Sequence, residues 1–393
     1  SWRHDHHHTR YAMKRIPMIV LAWGLITSNA WSQMPPPQMF SEMDGLHFLA
    51  DGTPLPIWGY GWVTDGYITL PGPLLTYTEG EQVDLNFTNP SPESHTIHLH
   101  GLDVDQANDG VPTTSFFVVT GQSTTYSFIA DRPGTFLYHC HVTTTLHLTM
   151  GMYGMILVTR PDMTLFEGGP SYAEDVPLLF SDLEIATNLD PVGSFPFHTI
   201  RPDVFMVNGR ADNQLELASQ IVSYEPGQTL ALRLGSMAYS RMMCAFPPEL
   251  NAVCHMSDGR AIPEPFEVDS LEIYPGERFT VLITPDAGWD GTIAADYWNM
   301  ADGFVEDTQF IRVRDAALDI DESTATPWSG YPNPAQSIIQ YPPALDVTVW
   351  DAWGREVFHG DLIDGQLHVS DWSVGTYVVR AADGPISRFV VID

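Results

Sequence analysis

The chain has 393 residues, among them 31 Gly, 31 Pro and 11% aromatic residues, and few of its segments show the 3.6-residue periodicity of a helix. This composition predicts two or three β-rich domains. The formal net charge is −32, from 49 acidic and 17 basic residues. Such acidity argues against nucleic acid or an anionic membrane as a partner and predicts a solubilising surface, which could also attract cations such as reduced metal ions.

The first 32 residues are not expected to belong to the folded protein. Residues 1–12 precede Met13 and are interpreted as an upstream extension, so the histidine-rich tract at 4–8 is given no functional weight. Residues 13–32 have the basic start, apolar run and small-residue end of a secretory signal. The run is too short to span a bilayer comfortably, and no other segment predicts a membrane anchor. We therefore expect an exported protein that, after cleavage, has no lysine and a formal charge of about −35.

A first β-rich domain is predicted over residues 34–162. The turn at Pro71-Gly72-Pro73 and the alternating segment Val83–Phe87 precede two histidine-rich segments, His95–His100 and Tyr138–His141. Side chains alternate along a strand, so each segment is expected to present its histidines on two faces. On one face lie His98, His100, His139 and His141, and on the other lie His95 and Cys140.

This parity predicts two metal sites placed back to back. Four imidazoles on one face suit a copper that binds oxygen or other small ligands. On the opposite face, His95 and Cys140 need a second histidine and a weak sulfur ligand to form a mononuclear electron-transfer copper site. His147 and Met152 supply both. The covalent run from Cys140 to its two neighbouring histidines would then carry electrons between the sites.

The axial sulfur ligand has competitors. Met152 is preferred because it lies five residues after His147 and directly follows a glycine, whereas Met150 and Met155 are interpreted as core residues. A structural zinc site built from Cys140 and two histidines is an alternative, as is an inert buried cysteine. Zinc would explain neither the thioether nor the four-histidine face.

A second β-rich domain is predicted over residues 163–318. Because Cys140 is assigned to the metal site, Cys244 and Cys254 remain and are expected to form a disulfide in an exported protein. Two free buried thiols are the alternative. A soft Cu(I) site is another, with three neighbouring methionines as ligands, namely Met242, Met243 and Met256.

The last part of the chain is predicted to form a small separate unit. Residues 319–330 are an acidic, Ser/Thr-rich linker. Residues 331–393 open with Tyr331-Pro332-Asn333-Pro334, alternate through Asp346–Trp350 and close on the strand-like run Gly375–Arg380. We expect a β-sandwich here.

The first domain resembles a cupredoxin domain of the multicopper oxidases over its full length. The resemblance is carried by four motifs, namely His98-Leu99-His100-Gly101, Asp109-Gly110, Tyr138-His139-Cys140-His141 and Gly151-Met152-Tyr153-Gly154. Gly101-Leu102-Asp103 is particularly similar to the two-domain bacterial laccases. The second domain resembles the copper-free second domain of larger oxidases.

The resemblance implies an all-β fold with two cupredoxin-like Greek-key β-sandwich domains. It implies a laccase-like enzyme that couples one-electron oxidation of a donor at a blue copper to reduction of O2 at a histidine-ligated copper site. The donor would be a small molecule or a metal ion. The match makes Asp109 a residue of proton delivery to the oxygen-reducing site. It also makes the eight predicted metal-site residues copper ligands, namely His95, His98, His100, His139, Cys140, His141, His147 and Met152.

The sequence also departs from this family. A laccase trinuclear cluster uses eight histidines from two domains, and the second domain here offers only His198 and His255, with no His-x-His motif. One chain alone is therefore not expected to build the usual cluster. Either two first domains from separate chains face each other in a homo-oligomer, such as a trimer, or the site holds fewer coppers.

Two other functions are compatible with the pattern. Copper nitrite reductases also resemble this arrangement, with His198 or His255 as the ligand donated by a neighbouring subunit. That family has an acid at the place of His98 and lacks a histidine at the place of His141. A non-catalytic cupredoxin that stores copper or carries electrons is the other alternative.

The third unit resembles the C-terminal sorting domain of type IX secretion, through its Tyr-Pro-Asn-Pro opening, Gly354-Arg355 and the terminal Phe389-Val390-Val391. This implies a small Ig-like β-sandwich and transport to the cell surface or the medium; otherwise the protein would be periplasmic. His359 and His368 are then polar residues of a sorting module.

Overall fold

The computed structural model describes most of the chain after residue 36. The described residues are 37–194, 197, 200–318, 330, 333–341, 344–351, 355–381 and 386–392. The predicted extension and secretory signal lie outside them, as does nearly all of the predicted linker. In the described part, no helix has the length and apolar character needed to cross a bilayer.

The first domain is a sandwich of two four-stranded sheets. Its strands are β1 (Gln38–Phe48), β2 (Pro54–Trp62), β3 (Leu75–Thr78), β4 (Gln82–Asn89), β5 (His98–His100), β6 (Gln122–Ile129), β7 (Gly134–His139) and β8 (Tyr153–Thr159). One sheet has the order β2-β1-β4-β6 and the other β3-β8-β7-β5. A 3-10 turn at Gln106–Asn108 and a short helix, α1 (Thr144–Thr149), lie in its loops.

Strand β7 is buried along its whole length because both of its faces are covered. Phe136 and Tyr138 point into the apolar core between the two sheets, and Cys140, just after the strand, joins the same core. Leu137 points the other way, into a second apolar cluster that includes second-domain residues such as Leu179 and Met206. This strand therefore separates the interior of the first domain from its boundary with the second.

The second domain is a larger sandwich, with sheets of order β10-β9-β12-β17-β14-β15 and β11-β19-β18-β13-β16. Its strands are β9 (Glu174–Leu183), β10 (Val204–Val207), β11 (Val222–Tyr224), β12 (Leu230–Ser236), β13 (Arg241–Ala245), β14 (Val253–Ser257), β15 (Arg260–Glu267), β16 (Ser270–Ile273), β17 (Arg278–Ile283), β18 (Asp290–Trp298) and β19 (Val305–Asp315). Its helical segments are α2 (Ile185–Leu189) and the 3-10 turns Asp212–Glu216, Ala218–Gln220, Pro248–Leu250 and Ala316–Leu318. The two domains confirm the expected all-β cupredoxin-like fold.

The disulfide expected between Cys244 and Cys254 is absent. Both residues are free, buried cysteines. Cys244 lies on β13 and Cys254 on β14, which belong to different sheets, and both side chains are part of the core between those sheets. Burial raises the pKa of the Cys254 thiol to about 11 and also raises that of Cys244. The two thiols are thus core residues.

Where the structure describes the C-terminal part, six further strands surround a core of their own. They are β20 (Ile338–Gln340), β21 (Ala344–Asp351), β22 (Glu356–Leu362), β23 (Gln366–His368), β24 (Gly375–Ala381) and β25 (Ile386–Val391). Strands β20 and β23 pair with each other, and the remaining four form a sheet of order β22-β21-β24-β25. Its Ig-like character and its role in sorting remain predictions.

Candidate metal centres

Strand pairing places the histidines as the alternation of side chains predicts. His98 of β5 lies directly opposite His139 of β7 in an antiparallel ladder, and His100 lies opposite Leu137. His139 thus shares the face of Leu137, whereas Cys140 shares the face of Tyr138. The structure accordingly brings two separate groups of ligand atoms together, one on each face.

The first group consists of His95, Cys140 and His147, all of which are buried. The Sγ of Cys140 lies 3.7 Å from Nδ1 of His95 and 3.1 Å from Nδ1 of His147. His95 is held by an isolated bridge to Val118, in which each residue donates its backbone N–H to the other's carbonyl oxygen at 3.0 Å. Both imidazoles therefore direct the same nitrogen at one thiol, as the His₂Cys part of a blue copper site requires.

The backbone of Met152 is hydrogen-bonded to two of these residues. Its N–H donates to the carbonyl oxygen of His147 at 2.9 Å, and its own carbonyl oxygen accepts from the N–H of Cys140 at 3.1 Å. Its side chain is fully buried in the core that contains Cys140, and so is that of Met150. Met155 belongs instead to the apolar cluster at the domain boundary. Its packing there supports the interpretation of Met155 as a core residue.

The surroundings keep both imidazoles of this group uncharged. Burial lowers the pKa of His95 to about 3, and the neighbouring His147 adds to this effect. Burial also lowers the pKa of His147, against the opposing charge of Glu93. Burial raises the pKa of the Cys140 thiol, so a cation is needed to stabilise the thiolate. Two neutral imidazoles and a buried thiol without a cationic partner fit a soft or borderline metal ion such as copper.

The second group contains His98, His100 and His139, whose ligand atoms lie within 4.8 Å of one another. Nδ1 of His100 is 3.3 Å from Nε2 of His139. His141 lies beside them, with its ring centroid 5.3 Å from that of His98 and 5.9 Å from that of His139. All four predicted imidazoles are therefore neighbours on one face, and three of them already converge.

Contacts behind the imidazoles determine which nitrogen faces the group. Nδ1 of His98 donates to the carbonyl oxygen of Asp109 at 2.7 Å and is 3.3 Å from its carboxylate. Nδ1 of His139 donates to the carbonyl oxygen of Cys140 at 3.0 Å. Because these nitrogens carry protons, Nε2 of each ring is left as the donor to a metal. Burial lowers the pKa of His139 to about 3 and that of His100 to about 4.

Two nearby charged residues were not predicted from the sequence. Oε2 of Glu93 lies 3.5 Å from Nε2 of His147, and its side chain is 53% exposed whereas that of His147 is fully buried. Glu93 lies in the bend that precedes His95, where strand alternation does not apply, so only the structure shows this contact. Arg278 of the second domain lies against Gly101 and bonds the Asp258 carboxylate at 2.8 Å. No local pattern identifies Arg278, because only the packing of the two domains brings it there.

The second domain adds no histidine to either group among the described residues. His255 lies on β14, and its Nδ1 is buried without a hydrogen-bond partner in the described part of the chain. His198 lies outside the described residues. Asp109 lies beside His98, and its role in proton delivery stays a prediction.

Comparison with known proteins identifies the family. Two multicopper oxidase family models match residues 60–163 and 161–317, which together are well over half of the chain. An L-ascorbate oxidase from Brassica rapa subsp. pekinensis is 27% identical over 245 residues, covering 55% of this chain and 42% of the relative. Laccase-4 from Oryza sativa subsp. japonica is 27% identical over 234 residues, covering 56% of this chain and 39% of the relative. The chain thus spans about two-fifths of the length of these curated relatives.

Solved structures agree with this result. The multicopper oxidase mgLAC has a TM-score of 0.59 at 26% identity, covering 72% of this chain and 87% of its own. The blue copper oxidase from Nitrosomonas europaea has a TM-score of 0.60 at 25% identity, covering 72% of this chain and 86% of its own. A copper nitrite reductase from the same species shares the fold at 19% identity. From the two matched domains and the copper-compatible ligand groups, we conclude that the chain belongs to the multicopper oxidase family.

Proposed function

We propose that this protein is a laccase-like copper oxidoreductase that takes single electrons from a donor at one site and reduces O2 at the other. Cys140 carries the argument, because it is a ligand candidate of one group while both of its chain neighbours belong to the other. Bound copper would supply one-electron redox chemistry at the first site and oxygen reduction at the second. The chain's own residues would bind, orient and shield these ions.

The buried site would be held by His95, Cys140 and His147, with the Met152 thioether as a weak fourth ligand. All four side chains are fully buried, so water is excluded from the ligands. Trp58 packs edge-on against the His147 ring, with centroids 5.4 Å apart, and limits rotation of the imidazole. A rigid, dry pocket of this kind suits electron transfer because the ligands need little rearrangement between oxidation states.

The four-histidine site would be the place of oxygen reduction, and Asp109 would deliver protons to it. The Asp109 side chain is 31% exposed, and one of its carboxylate oxygens lies 3.3 Å from Nδ1 of His98. A carboxylate in that position can take a proton from water and transfer it toward the imidazole face. Its backbone oxygen, 2.7 Å from the same nitrogen, fixes the ring orientation meanwhile.

A second copy of the chain would complete the oxygen-reducing site. The described residues supply four imidazoles, half of the eight that the resemblance calls for. Two first domains facing each other in a homo-oligomer would supply the remaining four. The alternative within the same proposal is a smaller copper site at which the four histidines suffice.

Copper stoichiometry and spectra test this function. We would measure copper per chain, optical absorption and paramagnetic resonance on the copper-loaded protein, on Cys140→Ser and on Cys244→Ser. Cys244 is the matched control because it is an equally buried free cysteine in the second domain. Cys140→Ser should lose the thiolate absorption and keep a second copper signal, whereas Cys244→Ser should keep both.

Turnover then separates the candidate functions. An oxidase consumes O2 with a phenolic or metal-ion donor and binds more than one copper per chain. Two coppers with nitric oxide formed from nitrite would instead support a reductase. One copper and no turnover would leave an electron carrier, and a colourless protein that prefers zinc would reject all three.

We also propose that the protein is exported and that residues 331–393 direct it to the cell surface or the medium. The proposal rests on the signal-like residues 13–32 and on the motifs of the C-terminal unit. Full-length protein and a form lacking residues 331–393 would be produced in a host with type IX secretion. Retention of only the shortened form in the periplasm would support the proposal, whereas equal release of both forms would contradict the sorting role.

A further inference from the structure

The helix that carries His147 is too short to be stable alone. Helix α1 has six residues, and its N-cap, Thr143, is in the left-handed region with φ 44° and makes no side-chain capping bond. Isolated helices of this length are unstable in water, because few hydrogen bonds repay the cost of nucleation. The segment from His147 to Met152 must therefore be held by tertiary contacts.

One such contact comes from the second domain. The hydroxyl of Tyr239 accepts a hydrogen bond from Oγ1 of Thr149 at 3.0 Å and donates to the carbonyl oxygen of Thr145 at 3.4 Å. Thr149 is buried, and its Oγ1 also lies 2.7 Å from the Thr145 carbonyl oxygen, the other acceptor within reach of its single proton. One phenol thus bridges the first and last turns of α1, two residues from His147.

A buried carboxylate fixes the position of Tyr239. Asp182 of β9 is 2% exposed, and its two oxygens accept the backbone N–H groups of Tyr239 at 2.7 Å and Ser240 at 2.9 Å. Hydrogen bonds from two consecutive amides leave the 239–240 turn little freedom. The buried polar group is fully satisfied, so it stabilises one conformation of the turn.

We propose that Tyr239, fixed by Asp182, is a positioning residue for the buried metal site. The second domain, which contributes no described ligand, would determine the geometry of the segment carrying His147 and Met152. The role in positioning a copper ligand rests on the proposed function. The ordering of the segment does not, and can be measured without metal.

Amide hydrogen exchange of the metal-free, full-length protein tests the ordering. Tyr239→Phe removes the bridging hydroxyl and keeps the ring, and Thr149→Val removes its partner. The control is Tyr224→Phe, since Tyr224 also lies in the second domain and its hydroxyl donates to the carbonyl oxygens of Asp286 and Trp289. Loss of the contact between the Tyr239 and Thr149 hydroxyls should speed exchange at residues 147–152 by about fivefold or more in the first two variants and leave it unchanged in the control.

Copper binding tests the positioning role. With copper alone as the probe, Tyr239→Phe should change the copper hyperfine splitting of the buried site and weaken Cu(I) binding there by about fivefold, whereas Tyr224→Phe should change neither. In the double variant Tyr239→Phe/Thr149→Val, the loss of Cu(I)-binding free energy should be smaller than the sum of the losses in the two single variants. Both substitutions remove the contact between Tyr239 and Thr149.

Two results would overturn the inference. Exchange at residues 147–152 that stays at the wild-type rate in Tyr239→Phe would show that the phenol does not order the segment. Faster exchange with unchanged copper spectra would show that it orders the segment without positioning a ligand. If Tyr239→Phe shows the exchange effect but the wild-type protein forms no blue copper site, the proposed function fails while the ordering stands.

Discussion

His139 donates a hydrogen bond from Nδ1 to the carbonyl oxygen of Cys140 at 3.0 Å, although the side chains of these adjacent residues belong to different metal groups. The bond fixes the His139 ring so that Nε2 faces the four-histidine group. The two groups are thus linked by one peptide unit and by this hydrogen bond. In the proposed function, this link would be a short path for electrons between them.

Asp109→Asn should slow oxygen reduction without removing copper. The substitution keeps the backbone oxygen that orients His98 but replaces the proton-carrying carboxylate. We expect steady-state O2 consumption to fall about 10- to 100-fold while copper content and blue absorption stay unchanged.

Asp105→Asn is the matched control. Asp105 lies four residues earlier, and its carboxylate accepts the backbone N–H of Asn108 at the neighbouring 3-10 turn. An equal loss of activity in both variants would indicate a general effect on this loop and contradict a role in proton delivery.

Glu93→Gln should raise the reduction potential of the buried copper. The Glu93 carboxylate near Nε2 of His147 favours the more highly charged Cu(II) state, and its removal should favour Cu(I). Since the carboxylate is half exposed, solvent screens it, and we expect a shift of about 20–60 mV. Potentiometric titration of the blue absorption measures this shift.

Glu264→Gln provides the comparison for this charge change. Glu264 is an exposed carboxylate on β15 of the second domain. Its variant changes the net charge by the same amount, so a shift of similar size there would assign the effect to the overall field of the protein.

Met152→Leu should raise the potential of the same copper by at least about 60 mV, because loss of a weak thioether ligand disfavours Cu(II). Met150→Leu and Met155→Leu conserve volume and should leave the potential unchanged. The measurement is again potentiometry, with resonance spectra in parallel. A shift in Met150→Leu instead would make Met150 the axial ligand.

The stability contribution of Asp182 should decrease as pH rises. Burial raises the pKa of Asp182 in the folded protein to about 6, from its ordinary value of 3.8. Between these values the folded chain retains a proton that the unfolded chain has released, so the free energy of unfolding falls as pH rises from about 4 to about 6. The amide of Asp182→Asn does not titrate in this range, so the variant lacks this pH dependence.

The free energy of unfolding of wild type minus that of Asp182→Asn is therefore expected to be higher at pH 4 than at pH 7, by about 2 kcal/mol. Urea unfolding of both metal-free proteins at the two pH values gives this difference, and the titration of all other carboxylates cancels in the comparison. A difference that does not change with pH would mean that the folded pKa of Asp182 is close to its ordinary value.

The sequence by itself determined the two-faced arrangement of the ligands. Alternation along a strand depends only on backbone geometry, so the positions of His98, His139 and Cys140 in the chain suffice to assign the two histidines to one face and the cysteine to the other. The β-rich character of the domains followed from turn residues and short alternating segments for the same local reason, whereas the all-β cupredoxin-like fold was implied by the family resemblance.

Only the tertiary structure decided which distant residues meet. Strand order placed Cys244 and Cys254 in different sheets, where they are free thiols, although their spacing in an exported chain suggested a disulfide. Domain packing brought Tyr239 to α1 and Arg278 to Gly101, and neither contact has a signature in the sequence. The physical reason is that side-chain alternation is fixed by neighbouring residues, whereas these contacts depend on how separately formed sheets bury their apolar faces against each other.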